Sequence, residues 1–173
     1  MTASARHTQP ETREESVTHD VTILAVGNPI MGDDGVGPAL LDLLRDRLPD
    51  ASTVALVDGG TEGLDLLPLV EDSRRLLLLD AIGSRTEPPG TVVRLDGDQV
   101  PRLLATKLSP HQVGLLDVLV AARLRGREPE ALAIVGVVPE SVELRVGLSD
   151  VVTAALADAV TVAAGVVAQW LAS

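Results

Sequence analysis

Short apolar runs alternate with longer helical patterns along this chain. Runs rich in leucine and β-branched residues predict five strands, at Val21 to Val26, Thr53 to Val57, Leu76 to Leu79, Thr91 to Leu95 and Leu132 to Val138. Apolar residues at helical spacing lie between most of them, at Val36 to Leu44, Leu64 to Val70 and Val113 to Leu124. This alternation predicts an α/β protein whose mainly parallel sheet is covered by helices. The unbroken run Leu76 to Leu79 is typical of a central strand buried on both faces, and Asp80 ends it.

The last segment, Val151 to Ala172, is apolar enough to raise the question of a membrane span. Asp158 lies in its middle, however, and further polar residues follow one side at near-helical spacing. The opposite side carries an apolar stripe of Val152, Leu156, Ala159, Ala163, Val166 and Trp170. We therefore predict an amphipathic helix laid on the sheet, with Ser149 as its N-cap, and no membrane partner.

Composition restricts the domain organisation and the possible partners. A chain of 173 residues, 46% of them hydrophobic, fits one domain, which we predict over residues 21–173 after a disordered polar tail at residues 1–20. The net charge of −11 disfavours nucleic acid as a partner. The chain has no cysteine, which excludes a thiolate metal site and a cysteine nucleophile. The polar tail lacks the apolar stretch of a secretion signal, so we expect a cytoplasmic protein.

A glycine-rich loop, Gly27 to Pro38, follows the first predicted strand and carries the adjacent carboxylates Asp33 and Asp34. In open parallel sheets, functional groups collect in the crevice at the carboxyl ends of the strands. The loop does not match a dinucleotide-binding fingerprint, because Asn28 and Pro29 stand where the second glycine is required. Either aspartate could instead cap a helix that starts near Pro38.

Two further acidic residues follow predicted strands. Asp58 precedes Gly59 and Gly60, and turn formation explains it about as well as catalysis. Asp80 closes an apolar run, where a carboxylate must find a cation, a hydrogen-bond donor or water. A functional site is therefore the favoured interpretation of Asp80.

The stretch Ser109-Pro110-His111-Gln112 opens a predicted helix, with Ser109 as a possible N-cap and Pro110 at the first position. A lone histidine in such a first turn is usually an ordinary surface or capping residue. If His111 met two carboxylates in one crevice, the three would bind a borderline divalent ion such as Ni²⁺ or Zn²⁺ and leave positions open for another molecule's ligands. The chain contains neither a His-Glu-x-x-His motif nor a Gly-x-Ser-x-Gly elbow, so a zincin or an α/β-hydrolase has no support.

The chain resembles the hydrogenase maturation endopeptidases, which process the C-terminus of nickel-iron hydrogenase large subunits. The resemblance covers residues from about Thr22 to Ala168. Its most specific blocks are Val26-Gly27-Asn28 with Gly32 to Gly37, Asp58 to Thr61, Leu79-Asp80-Ala81, and Ser109 to Gln112. Further support comes from Gly136 to Ser141 and from Gly147-Leu148-Ser149.

This resemblance implies a three-layer αβα sandwich with a five-stranded, mostly parallel mixed sheet. One edge strand would be antiparallel, and Thr91 to Leu95 is the natural candidate. The resemblance also implies that Asp34, Asp80 and His111 contact the metal and take part in cleavage. Asp58 is a further catalytic candidate, and both Asp58 and Asp33 could act as a base or could orient a ligand.

The substrate implied by the resemblance is a hydrogenase large-subunit precursor that already carries nickel and bears a C-terminal extension. Because the precursor's thiolates hold the Ni²⁺, the protease would add only oxygen and nitrogen ligands. Nickel would then act as a checkpoint, since an unloaded precursor would bind poorly, and we expect no permanently bound metal. Whether nickel polarises the scissile carbonyl, activates water or only positions the bond is left open at this point.

Two other classes of protein are compatible with some of these residues. A phosphorylation-dependent receiver domain also has an acidic pair after its first strand and an aspartate after its third. Here, however, the pair begins seven residues beyond Val26, and no lysine follows the run Leu132 to Val138. In a nucleotide-binding or purely structural α/β domain, the acidic residues would be caps and turns, but the chain lacks a phosphate-binding loop.

Overall fold

The described part of the chain folds into five strands and five helices. The computed structural model describes residues 19–48, 53–104 and 110–173, without the side chains of residues 104 and 110–113. The strands are β1 (Val21–Ala25), β2 (Val54–Asp58), β3 (Arg75–Ala81), β4 (Val92–Asp96) and β5 (Ala131–Val137). The helices are α1 (Val36–Arg45), α2 (Leu67–Asp72), α3 (Gln99–Leu104), α4 (Pro110–Leu124) and α5 (Asp150–Leu171). All the predicted strands are confirmed, with ends shifted by a residue or two.

The strands form one sheet in the order β2-β1-β3-β5-β4. β1 pairs in parallel with both β2 and β3, and β3 pairs in parallel with β5. β4 lies at the edge and pairs antiparallel with β5, which confirms the antiparallel edge strand. Because the other strands run in one direction, their carboxyl ends and the loops that follow them share one edge of the sheet.

Helices cover both faces of this sheet and form two cores. α1 and α5 pack on one face, into which Leu77 and Leu79 point. Side chains from α2, α3 and α4 pack on the other face with Leu76 and Leu78. All four leucines are fully buried, so the unbroken apolar run of β3 reflects burial on both faces, as predicted. The three-layer αβα architecture is thereby confirmed.

α5 packs one side against the sheet and α1. Its buried residues are Val152, Ala155, Ala159, Val160, Ala163, Val166 and Val167. By length and composition α5 is apolar enough to cross a membrane, since its most apolar 18-residue stretch has a mean hydropathy of 2.0. However, 39% of that stretch is buried inside the protein. Asp158, Thr161 and Gln169 are exposed, and Ser149 Oγ accepts a hydrogen bond from Val152 N at 3.4 Å. The amphipathic helix on the sheet and its N-cap are therefore confirmed.

Two local features differ from what the sequence predicts, and one prediction falls on residues that the structure does not describe. α3 has no counterpart among the predicted helices, because its six residues are too few to show a helical period. The helix predicted at Leu64 to Val70 begins as a 3-10 turn, Leu64–Leu66, before it continues as α2. The predicted polar tail falls largely on residues 1–18, which lie outside the described residues, and it stays a prediction.

Candidate functional site

Main-chain hydrogen bonds tie together the loops after β1, β2 and β3 at the carboxyl edge of the sheet. Gly27 N donates to Gly60 O at 2.8 Å, which joins the first loop to the second. Val26 N donates to Leu79 O at 2.9 Å, which joins the first loop to the end of β3. The acidic residues of these loops are therefore carried on one connected piece of backbone.

Two glycines allow the loop after β1 to pack closely on the strands. Gly27 has a φ of +131°, and a Cβ there would lie 2.0 Å from the carbonyl oxygen of Asp34. A Cβ on Gly37, in the first turn of α1, would lie 2.2 Å from Val26 O and 2.6 Å from Leu79 O. A side chain at either position would displace backbone atoms. The glycines thus seat the segment that contains Asp34 directly on the ends of β1 and β3.

Asp34 lies in a 3-10 turn, Gly32–Gly35, between β1 and α1. It is only 8% exposed, and its Oδ2 accepts a hydrogen bond from Asn28 N at 2.8 Å. Gly35 occupies the N-cap position of α1, where no side chain makes a capping hydrogen bond. The interpretation of Asp33 or Asp34 as the cap of that helix is therefore wrong. Asp34 is a nearly buried carboxylate held by its own loop.

Asp33 is fully buried and reaches a segment far along the chain. Its Oδ2 accepts hydrogen bonds from Glu140 N at 2.8 Å and from Ser141 N at 3.1 Å. Ser149 donates twice, from Oγ to Oδ2 at 2.9 Å and from N to Oδ1 at 2.6 Å. Burial raises the pKa of Asp33, but the hydrogen bonds from Ser149, Ser141 and Glu140 outweigh it and hold the pKa below its ordinary value. Asp33 is thus an ionised carboxylate that ties the loop after β1 to the loop after β5.

Asp80 is the penultimate residue of β3 and is fully buried. Its Oδ1 accepts a hydrogen bond from Ala81 N at 2.7 Å, so the carboxylate finds one of its donors in its own backbone. Gly136 of β5 lies opposite, and a Cβ there would lie 1.9 Å from Asp80 O. The central pair of strands therefore packs tightly where Asp80 lies. A carboxylate buried at the end of an apolar strand is a costly feature, which agrees with a functional role.

Asp58 ends β2 and is exposed, whereas Asp33, Asp34 and Asp80 are buried. Its Oδ1 accepts a hydrogen bond from Gly60 N at 3.0 Å, which is the contact of an Asx turn. The turn-forming interpretation of Asp58 therefore has a direct structural basis. An exposed carboxylate at this edge is also accessible to a bound substrate.

His111 lies in the first turn of α4, which begins at Pro110 as predicted. Gly114, one turn further along α4, packs against the loop after β2, since a Cβ on Gly114 would lie 3.1 Å from Gly63 Cα. The backbone thus brings the start of α4 to the loop that follows Asp58. The His111 side chain and the predicted N-cap residue Ser109 lie outside the described parts of the structure.

The ligand set Asp34, Asp80 and His111 stays a prediction. Among the side chains that the structure describes, which do not include His111, no three histidine, aspartate or glutamate groups lie close enough to hold a metal ion. What the backbone does show is that the segments bearing all three residues follow strands at one edge of the sheet or pack against a loop there.

Sequence reasoning missed the separate role of Asp33. It gave Asp34 the role of a metal ligand and Asp33 only that of a possible base or ligand-orienting residue, with no partner in the loop after β5. The partners of Asp33 are 107 to 116 residues away in the chain, so no local pattern indicates them. The available signal was the block Gly136 to Ser141, which the resemblance marked without giving it a function, together with Ser149, which was predicted only as a helix N-cap.

Comparison with known proteins identifies the family. The profile of the hydrogenase maturation protease family matches residues 38–166. This range includes Asp58, Asp80 and His111, whereas Asp34 lies just before it. The hydrogenase 2 maturation protease of Escherichia coli strain K12 is 42% identical over 136 residues, covering 78% of this chain and 82% of that protein.

Solved structures agree with the sequence comparison. The hydrogenase maturating endopeptidase HybD from E. coli superposes with a TM-score of 0.81 at 38% identity, covering 86% of this chain and 92% of that one. The NiFe hydrogenase maturation protease HybD from Thermococcus kodakarensis gives a TM-score of 0.69 at 29% identity, covering 84% and 97%. Sequence and fold therefore agree over most of both chains, and this chain belongs to the hydrogenase maturation protease family.

Proposed function

We propose that this hydrogenase maturation endopeptidase, which processes the C-terminus of a hydrogenase large subunit, recognises its precursor through nickel that the precursor carries. The family assignment supplies the endopeptidase activity and the class of substrate. It also excludes the receiver-domain alternative. The nickel, its source in the substrate and the residues that bind it are the proposal.

The observation that supports the metal site best is a pair of buried carboxylates, one in the loop after β1 and one near the end of β3, the strand parallel and adjacent to it. Asp34 lies in the turn between β1 and α1, Asp80 is the penultimate residue of β3, and the two are 8% and 0% exposed. Burying a carboxylate is costly unless a cation or hydrogen-bond donors compensate it. Oxygen ligands of this kind, together with the imidazole of His111 at the start of α4, would suit a borderline divalent ion.

Such a site would distinguish loaded from unloaded precursor. The precursor's own thiolates would hold Ni²⁺, and Asp34, Asp80 and His111 would complete its coordination from the protease side. Much of the binding free energy would then exist only when the ion is present. A hundredfold preference for the loaded form corresponds to about 2.7 kcal/mol. This coupling would delay cleavage until metal insertion is complete.

Asp58 would act beside the metal and not as a ligand to it. Its Oδ1 is engaged by Gly60 N, and the residue is exposed at the same edge of the sheet. An exposed carboxylate in that place could accept a proton from an attacking water or orient a group of the substrate. The cytoplasmic location, and the lack of nucleic-acid and membrane partners, stay predictions from composition.

Cleavage of a nickel-loaded precursor by single variants tests the proposed site. We expect Asp34→Asn, Asp80→Asn and His111→Ala each to lower kcat/KM by at least about a hundredfold, because the first two replace an anionic ligand by a neutral one and the third removes a ligand. Asp42→Asn is the matched control, since Asp42 is exposed on α1, and it should cleave normally. Circular dichroism checks that each variant is folded. Full activity of Asp34→Asn and His111→Ala would rule out the site.

A further inference from the structure

We propose that Asp33 is a positioning residue for cleavage, which holds residues 140–149 against the turn that carries Asp34 and so aligns the precursor's scissile bond. The inference rests on the proposed function, because Asp34 is taken as a ligand of the substrate's metal. Asp33 itself would not bind the metal. The two neighbouring carboxylates would thus have different tasks.

The contacts of Asp33 support a role for it that differs from that of Asp34. Both of its oxygens are occupied: Oδ1 accepts from Ser149 N, and Oδ2 accepts from Ser149 Oγ and from the backbone of Glu140 and Ser141. A metal ion at Asp33 would have to displace these donors. Asp80, a proposed ligand, is equally buried, so the four hydrogen bonds and not burial distinguish Asp33 from it. Hydrogen bonds to a charged acceptor are stronger than neutral ones, so the contacts of Asp33 should hold residues 140–149 strongly to the loop after β1.

Leu148 packs against the core and Ser149 caps α5, so the C-terminal end of the segment is anchored, but its middle part is exposed. Val142, Leu144 and Val146 are 49%, 78% and 83% exposed, so burial of these apolar side chains contributes little to its position. Main-chain hydrogen bonds to the loop after β1 support this middle part. Gly32 N donates to Arg145 O at 2.7 Å, and Arg145 N donates to Ile30 O at 3.0 Å. These bonds run to the same loop, so the segment and the Asp34 turn are held as one unit.

Loss of these contacts of Asp33 should disturb alignment more than binding. In the proposed function the affinity for the precursor comes largely through the metal, whose ligands Asp33→Asn leaves intact. A scissile bond displaced by about 1 Å can react about a hundredfold more slowly. We therefore expect the defect to appear in kcat and not in KM.

The test is Asp33→Asn, with Asp42→Asn as the matched exposed control. The asparagine amide nitrogen cannot accept hydrogen bonds, so the variant cannot satisfy all four donors. We expect kcat for the nickel-loaded precursor to fall by about ten- to a hundredfold with KM within about threefold. Ni²⁺ alone, titrated calorimetrically into the protease, should bind Asp33→Asn as it binds the wild type, and hydrogen exchange at residues 140–149 should accelerate. Unchanged kcat, or loss of Ni²⁺ binding as in Asp34→Asn, would overturn the proposal.

A second pair of variants guards against simple misfolding. Ser149→Ala removes one donor to Asp33, and Ser149→Thr retains the hydroxyl. We expect a smaller fall in kcat for the alanine variant and recovery for the threonine variant, whereas an equal loss in both would overturn the positioning role. The metal site fails separately: it fails if Asp34→Asn still binds Ni²⁺, whatever Asp33→Asn does to kcat.

Discussion

The loops after β1 and β2 contain similar residues but have different structures. Each follows a parallel strand at the same edge of the sheet, and each combines glycine with aspartate. In the first loop Asp33 is fully buried and its donors lie in residues 140–149. In the second loop Asp58 is exposed, and its hydrogen bond reaches only two residues ahead. The comparison teaches that a buried aspartate with donors from distant residues, such as Asp33, supports the loop structure. An exposed aspartate with only a local hydrogen bond, such as Asp58, stays accessible to substrate.

Glycine replacements should give the largest difference between the two loops. Gly27→Ala places a Cβ 2.0 Å from Asp34 O at a φ of +131°, so we expect a loss of at least about 3 kcal/mol in unfolding free energy. Gly60→Ala meets no atom within 4 Å, and only its φ of +51° is unfavourable, so a loss of about 1 kcal/mol is expected. Urea unfolding followed by circular dichroism measures both. Equal losses would mean that the loops are packed alike.

Replacement of the buried Asp33 should lower the unfolding free energy more than replacement of the exposed Asp58. Asp33→Asn removes a charged acceptor from buried donors and should lower the unfolding free energy by about 2 to 4 kcal/mol. Asp58→Asn changes an exposed residue with one local bond and should cost less than about 0.5 kcal/mol. The same urea titration provides the measurement. A large loss for Asp58→Asn would show that Asp58 supports the loop structure too.

Replacement of Asp58 should lower activity without lowering stability, whereas replacement of Asp33 should lower both. Asp58→Asn should lower kcat about tenfold, equivalent to about 1.4 kcal/mol in the activation barrier, while leaving stability unchanged. Glu62→Gln, in the same loop and also exposed, serves as the control. Single-turnover cleavage of loaded precursor separates this step from product release. A fully active Asp58→Asn protein would leave Asp58 with its turn-forming role alone.

Most of the fold follows from local patterns in the sequence. The unbroken leucine run indicates β3 because a central parallel strand is apolar on both faces, and the stripe of α5 indicates a helix on the sheet. The antiparallel edge strand came from the family resemblance, since periodicity does not encode strand direction. α3 escaped prediction because its contribution to the core, through Val100, follows tertiary packing and not a periodic pattern.

The site was less accessible from sequence than the fold. Asp34, Asp58 and Asp80 could be found because each lies at or after the carboxyl end of a strand, where functional groups collect. The partners of Asp33 could not be found, because they are donors brought in by the loop after β5 and the start of α5. The helix-capping interpretation was wrong because the chain inserts a 3-10 turn before α1, so Gly35 takes the cap position.

The proposed recognition of nickel is tested most directly by comparing the affinities of the protease for nickel-loaded and nickel-free precursor. With the wild-type protein, we expect the loaded precursor to bind at least about a hundredfold more tightly, equivalent to about 2.7 kcal/mol. In Asp34→Asn, Asp80→Asn and His111→Ala that ratio should fall toward one, while Asp42→Asn should retain it. Equal affinity of the wild-type protease for both forms of the precursor would contradict a metal site completed by these three residues.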